Sequence, residues 1–404
     1  MQRQGSQRGM TLVEIMVAGA LLSVVLSASM GLLIGVSQST NRVMYVGDTQ
    51  EAGRLALEAI AADIRIAGMG AQLGSVGVAP AAGSIRRIPI IYSGPDINVV
   101  ETNSSGATET VTTNSIFIIS GQPATGVLAA DGSGMTGTVV GASIGSPLSI
   151  TCSNGSGTNV DCSDVTFKDF ALLQGSGTSF SPLIVGDLRS AVYLTPTSLA
   201  PPVGTPPSQV MNYAERSANA YSPDPRAPFG FAPGAAIHRA RVLHYYLWPT
   251  RNTNYYELRR SFPVLAASAG NLACDGTDAP FIDETNGPTG SVIGSVIGSG
   301  PLSSLQIRYV ADPTASDDPS AFQMMPVTVC STALVPYLRE IRLQVVARAV
   351  NPDKTEGTGS RVNRYSTPGF EGMTPVGGAT YFDAYPRRTF NVDVVPRNLQ
   401  GVRL

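Results

Sequence analysis

Glu14 is the first residue whose setting asks for chemistry. It is the single charged side chain between Met10 and Val36, inside the run MTLVEIMVAGALLSVVLSASMGLLIGV. An ionised carboxylate in so apolar a stretch needs a positive partner or a proton. On insertion scales an acid at the centre of a membrane helix costs roughly 2.5–3.5 kcal/mol, so such residues are retained for function. Other chemistry-bearing residues are scattered. The four cysteines, Cys152, Cys162, Cys274 and Cys330, contain no CxxC pair, which argues against zinc and thiol redox catalysis. In an oxidising compartment they form two disulfides, and of the three possible pairings Cys152–Cys162 with Cys274–Cys330 is favoured because the first pair closes a short local loop.

The remaining constellations have bland readings that weigh more than the sharp ones. His238 and His244 stand six apart in a strand-like segment and so share a face, but a metal there needs further ligands. Gly132 to Gly137 reads GSGMTG and fits GxGxxG, yet a dinucleotide loop must open a helix, and TVVGASIG follows. Two acidic loops, one with Asp275, Asp278, Asp283 and Glu284 and one with Asp312, Asp317 and Asp318, are oxygen-rich enough for calcium. Neither has the EF-hand spacing, and both read as solvated turns. Arg239, Arg241, Arg251, Arg259 and Arg260 interleave with Tyr245, Tyr246, Trp248, Tyr255 and Tyr256. That mixture could grip single-stranded nucleic acid; the simpler reading is a strand pair with an aromatic core face and a charged outer face. A net charge of −2 demands no polyanionic partner. With no nucleophile–base pair, carboxylate pair or phosphate loop, no catalytic residue, metal or cofactor is assigned, and the chain reads as a non-enzyme.

The elements that must position Glu14 begin with a helix. The run from Met10 to Val36 exceeds the roughly 20 apolar residues that cross a bilayer. It is too long for a secretory signal, whose apolar core is about 7–15 residues, although Arg3, Arg8 and a small-residue SAS at Ser27–Ser29 imitate one. Beyond it the pattern turns amphipathic: Leu57, Ile60 and Ile64 fall on one face, Arg54 and Glu58 form an i,i+4 pair, and Gly68 and Gly70 read as a stop. One helix from Met10 to Ala67 is roughly 87 Å long. After it come short strand-like runs such as RRIPIIYS, NSIFIISG, SDVTFKDFALL and SAVYLT, then a Pro-rich connection and a hairpin from His238 to Phe262. Gly numbers 43 and Pro 29, with 14 % charged residues, a composition of irregular β structure with long connections. The fold class is α+β.

The N-terminus resembles a type IV prepilin: a short basic peptide ending in Gly9, a hydrophobic Met10, then Thr-Leu-Val-Glu and a long apolar helix. The resemblance sharpens toward PilW-type minor pilins through Gly53, Arg54, Ala56, Leu57, Asp63, Arg65, Ala67 and Gly68, and at the far end through Arg387, Arg388, Phe390, Arg397 and Asn398. The segments RVLHYYLWPTRNTNYYELRRSF and REIRLQVVARAVN also look like the family's Tyr-Tyr-Leu hairpin and the strand after it. It implies cleavage between Gly9 and Met10 by a prepilin peptidase, N-methylation of Met10, and a role for Glu14 in neutralising the N-terminal amine of a neighbouring subunit. It also implies a pilin-like fold, a long helix on a C-terminal antiparallel sheet. The expected organisation is leader 1–9, transmembrane and assembly helix 10–37, amphipathic helix 38–70, inserted β-rich lobe 71–235 and C-terminal sheet 236–404.

Met10 departs from the commoner Phe, and the membrane half carries Gly19, Gly31 and Gly35 in place of the family's Pro. Arg3 and Arg8 orient the N-terminus to the cytoplasm by the positive-inside bias. The implied partners are other minor pilins and the major pilin, the prepilin peptidase and the inner-membrane assembly platform. The implied location is the inner membrane before assembly, with the bulk periplasmic, and the surface pilus after it. The expected role is a structural subunit that primes assembly and sits at or near the tip. The alternatives are an adhesin or DNA-receptor tip module and a pseudopilin of a type II secretion system.

Overall fold

The computed structural model describes residues 11–71, 74–78, 86–94, 97–102, 108–123, 135–141, 148–154, 159–160, 182–186, 191–199, 203, 209–213, 236–249, 256–265, 281–282, 295–311, 323–325, 338–349 and 387–397. One helix, α1 (Leu12–Ile66), runs for 55 residues, roughly 82 Å at 1.5 Å per residue. No proline interrupts it. It ends where Gly68 and Gly70 take positive φ of 75° and 81°, a region costly for other residues. At Gly70 space is short as well, since an added Cβ would stand 2.6 Å from the His238 ring.

The two halves of α1 differ in what surrounds them. Every residue from 11 to 40 is exposed, and among the described side chains the first buried one is Thr49. From there Ala52, Ala56, Leu57, Ile60, Ala61, Asp63, Ile64 and Ala67 are buried, the three-and-four spacing of one helix face. Burying Leu57, Ile60 and Ile64 contributes about 1.5–3 kcal/mol each. The alanines and Gly53 let the axis come close to the sheet. At Gly53 the approach is closest: a Cβ there would lie 2.3 Å from the Phe390 ring. Between the two halves Val43, Met44, Gly47 and Asp48 are exposed and Val46 is half-buried.

Among the described residues twenty-one strands follow. The first are β1 (Ser75–Val78), β2 (Arg86–Pro89), β3 (Ile91–Ser93), β4 (Ile97–Thr102), β5 (Thr108–Thr113) and β6 (Ile116–Pro123). Next come β7 (Met135–Gly141), β8 (Leu148–Asn154), β9 (Asn159–Val160), β10 (Leu183–Gly186), β11 (Ala191–Leu194), β12 (Pro196–Leu199) and β13 (Gln209–Tyr213). The last are β14 (Ala236–Pro249), β15 (Tyr256–Ser261), β16 (Val264–Leu265), β17 (Phe281–Ile282), β18 (Ser295–Ala311), β19 (Gln323–Met325), β20 (Leu338–Arg348) and β21 (Arg387–Val394).

The run RRIPIIYS falls on β2 and β3, NSIFIISG on β6, SAVYLT on β11 and the expected hairpin on β14 and β15. SDVTFKDFALL lies outside the described residues.

Antiparallel pairing joins β21 to β20, β20 to β18, β18 to β15, β15 to β14, β14 to β6 and β6 to β3. The other described pairings are antiparallel too, except β1 with β11, which is parallel, so the sheet is mixed. The long strand β14 is the hub. Its His238 to Tyr245 stretch pairs with β6, and its first residues pair with β10 and β7. Strands of the 71–235 segment and of the 236–404 segment thus share one sheet across residue 235. The helix packs on β18, β20 and β21, and its exit is stitched to β6, where the Gly68 N–H donates to Ile119 O (2.9 Å) and the Gly121 N–H to Met69 O (2.6 Å). A separate hairpin, β4–β5, is held by Tyr256, whose hydroxyl accepts from the Val100 N–H (2.6 Å) and donates to Val100 O (2.9 Å).

Candidate functional site

Glu14 sits in the first turn of α1 and closes its end. Thr11 is the N-cap in extended backbone, with φ −78° and ψ 151°. Its Oγ1 accepts from the Glu14 N–H at 3.4 Å, while Glu14 Oε2 accepts from the Thr11 N–H at 2.9 Å and from the Thr11 hydroxyl at 3.0 Å. This is a capping box, which satisfies donors that the helix end otherwise leaves open. Both bonds use Oε2, which leaves Oε1 for a second donor. The Thr-x-x-Glu spacing carries the signal for this role, and reading Glu14 only as a lone acid passes over it. Gly9 and Met10 lie outside the described residues. The segment Leu12–Thr40 is long and apolar enough to cross a membrane, and none of it is covered by the rest of the chain.

A second carboxylate on α1 marks the joint with the sheet. Asp63 is 7 % exposed and receives a hydrogen bond from the Tyr245 hydroxyl on β14. Arg241 of β14 and Arg260 of β15 each bring an Nη1 to 3.7 Å of its oxygens. One acid is thus shared by two cations and a phenol, which offsets the cost of burying it. Burial first, and the bond to Asp63 second, push the Tyr245 phenol well above its ordinary range. Beyond the guanidiniums lies Phe262, its ring centre 5.8 Å from Arg241 Cζ and 5.6 Å from Arg260 Cζ. Asp63 was named in the sequence only as a family-matching position. Its partner Tyr245 is 182 residues away, so no local spacing could reveal the cluster.

The hairpin aromatics are packed. Tyr245, Tyr246 and Tyr256 are buried, at 0 %, 2 % and 6 % exposure. One face carries a stack in which Tyr92 lies 4.9 Å from Phe117, Phe117 lies 4.0 Å from His244 at 2° between planes, and His244 lies 4.8 Å from Tyr246. Tyr246 meets Trp248 edge-on at 6.2 Å. These rings form no open platform for bases. Arg259 pairs with Glu257 at 3.3 Å, and Arg241 and Arg260 serve Asp63. Arg251 and Tyr255 lie outside the described residues.

His238 packs against Gly70 and Gly121, and burial lowers its pKa. Among the described residues no group of three His, Cys, Asp or Glu side chains could hold a metal ion. Met135 to Gly137, the end of the GxGxxG match, belong to strand β7, not to a helix. Cys152 lies on β8; Cys162, Cys274, Cys330 and both acidic loops lie outside the described residues. At the far end Arg387, Arg388 and Phe390 lie on β21, Arg397 follows it, and Asn398 is outside the described residues. The contact between Gly53 and Phe390 brings together two segments that the sequence pairs only by resemblance.

No family model matches the chain, and no curated protein matches it. Among solved structures it is similar to "Type IV-like pilin TTHA1219 from Thermus thermophilus" at 12 % identity, over 58 % of this chain and 92 % of that one, with a TM-score of 0.19. Superposition that poor carries no argument about fold or function.

Proposed function

We propose that this chain is a minor pilin of the PilW type, a structural subunit of a type IV pilus. In this reading α1 holds it in the inner membrane with the N-terminus cytoplasmic and the sheet periplasmic, and assembly moves it to the surface. The observation that carries the proposal is one unbroken 55-residue helix with unlike halves. The first half is apolar and exposed through residue 40, and the second is laid on a sheet from Thr49 onward. Acyl chains cover the first half before assembly, and the same halves of neighbouring subunits cover it afterwards. Away from lipid headgroups and water, Glu14 then requires a cation. Cleavage after Gly9 frees the Met10 amine to supply one, and N-methylation keeps the charge. The capping bonds to Thr11 leave one carboxylate oxygen for that amine.

The partners are other minor pilins, the major pilin, the prepilin peptidase and the assembly platform. A 404-residue chain with a lobe of residues 71–235 is hard to repeat along a closely packed shaft, which favours a priming complex and a place at or near the tip. The reading is tested by intact mass and N-terminal sequence of protein recovered from sheared filaments, beside Glu14→Ala. A chain starting at N-methylated Met10, with the variant processed in the membrane but depleted from filaments, is the expected result. An uncut chain, a cut near Ala28, or a variant that enters filaments at the normal level overturns it.

A further inference from the structure

The chain leaving α1 closes over a sheet edge, and a histidine sits under the closure. Strand β6 pairs with β14 along one edge and with β3 along the other, the latter only over residues 116–118. Further along that second edge the helix exit takes over: the Ile119 carbonyl accepts from the Gly68 N–H at 2.9 Å, and the Gly121 N–H donates to Met69 O at 2.6 Å. The closure is tight. A Cβ on Gly121 would stand 2.5 Å from Met69 O and 2.7 Å from His238 Cβ, one on Gly70 would stand 2.6 Å from the His238 ring, and one on Gly186 of β10 would collide with Gly70 O. His238, on β14 between β6 and β10, is therefore packed under the exit. Its Nδ1 is buried and has no hydrogen-bond partner among the described residues.

That setting accepts a neutral ring and rejects a charged one. With its proton on Nε2 the neutral ring presents Nδ1 as a lone pair. Protonation turns Nδ1 into a donor with no acceptor assigned to it, and puts a charge where burial has removed water. No counter-charge stands ready among the described residues. The stretches Ile116–Pro123 of β6 and Leu183–Gly186 of β10 carry no ionisable side chain, and neither does the exit at residues 67–71. Arg239 and Arg241 on β14 are cations that alternate to the other face of the strand, Arg65 in the last turn of α1 is a third, and Asp63 is already held by Arg241, Arg260 and Tyr245. Burial accordingly lowers the His238 pKa below its ordinary 6.5. We propose that protonation of His238 unlatches the α1 exit from β6, a pH-sensitive latch at the junction of helix and sheet. An opened histidine takes up a proton more readily than the latched one, so the stability that neutral His238 contributes is full above pH 6.5 and is lost as pH falls below it toward the lower latched value. Release leaves Ile119 O and the Gly121 N–H unpaired on a sheet edge, while the Asp63 joint keeps α1 on the sheet. The latch does not depend on the pilus reading.

The test uses the full chain in detergent at about pH 8 and about pH 5, the range over which histidine titrates. Hydrogen exchange, corrected for the intrinsic effect of pH, is expected to show the Gly68 and Gly121 amides protected at the upper pH and unprotected at the lower, with those of β18 and β20 protected at both. His238→Gln, which cannot take the charge, is expected to remove the difference between the two conditions at Gly68 and Gly121. The chain has two histidines, so isotopic labelling of the imidazoles gives two resonances, and His238→Gln assigns them. The His238 resonance is expected to titrate below 6.5, in step with the loss of protection. If the variant loses its circular dichroism spectrum, the wild-type chain decides by whether one imidazole titrates in step with the opening of the exit. Exit amides indifferent to pH, a pH dependence that survives in His238→Gln, a His238 that titrates at or above its ordinary value, or loss of β18 and β20 protection together with the exit overturns the proposal. Filaments are not needed, so this failure and failure of the pilus reading are separate results.

Discussion

Asp63 is one carboxylate serving three donors, so its removal has a larger effect than its size suggests. Asp63→Ala leaves Arg241 and Arg260 facing each other at a buried joint and is expected to destabilise the folded chain by about 3–5 kcal/mol. Tyr245→Phe, which removes one hydrogen bond to a charged group, costs about 1.5–3 kcal/mol. Denaturant unfolding of both variants checks the order, and equal losses would refute the shared-carboxylate account. The phenol also gives a pH dependence with a definite sign. Burial raises the folded-state pKa of Tyr245 and of Tyr309 above the ordinary 10.0. Each folded phenol therefore keeps its proton where the unfolded one loses it, and the stability it contributes is full below pH 10 and is lost as pH rises further. The part of the tyrosinate absorbance that Tyr245→Phe removes should rise together with loss of sheet signal, not ahead of it. Of Glu14 and Asp63, the first stands out in the sequence because it is alone in an apolar run. Asp63 does not, because an acid within an amphipathic run looks solvated until strands distant in sequence arrive over it. On the proposed pilin reading Glu14 has two separable roles: Thr11→Val is expected to cost about 1 kcal/mol at the helix end while leaving filament entry nearly intact, whereas Glu14→Ala is expected to deplete the chain from filaments. Equal loss of entry in the two variants would make the cap the whole function of Glu14.

At the scale of elements the closest approach is between α1 and β21. Gly53→Ala would raise helix propensity by about 1 kcal/mol, but the new methyl meets the Phe390 ring at 2.3 Å. Overpacking of that kind costs about 1–3 kcal/mol, so the substitution is expected to be neutral or destabilising despite the better helix former. Phe390→Leu in the same chain should recover most of the loss; a double variant no better than the sum of the singles would mean that the helix does not press on β21. The segments that meet here were readable one at a time. Leu57, Ile60 and Ile64 marked the buried helix face, and apolar runs bounded by polar turns marked β3, β6 and β11. Which strand lies beside which was not readable. Pairing such as β6 with β14 depends on chain closure over distant segments, and the alternation within each strand suits several neighbours equally well. The run at 132–137 was read against a dinucleotide loop because TVVGASIG follows it in place of a helix, and Met135 to Gly137 are strand.

The whole molecule divides by its solvent. Residues 11–40 are exposed along their whole length, and an exposed apolar surface of that length is far larger than a soluble monomer tolerates. The sheet and the helix from Thr49 onward bury their own core and make no use of the first half. Truncation tolerance follows from the burial and hydrogen bonding of what is removed, and among the described residues the segment 11–40 has no bond to the sheet. Deleting residues 1–40 should therefore yield a protein that stays monomeric without detergent. Its unfolding free energy should lie within about 0.5 kcal/mol of the full chain, the scatter of a change away from any packed contact. Hydrogen exchange should then show a gradient along what remains of α1. Amides from Thr49 to Ile66 should be protected as strongly as those of β18 and β20. Those of residues 43–48 should exchange early, because none of the described side chains there is buried and their bonds open without disturbing the core. If the truncated chain instead aggregates or melts early, the first half supports the sheet and the helix is not divided by solvent. If it is stable but its amides at 49–66 exchange freely, the Asp63 joint is too weak to hold the helix, and the anchor and sheet would act as separate bodies.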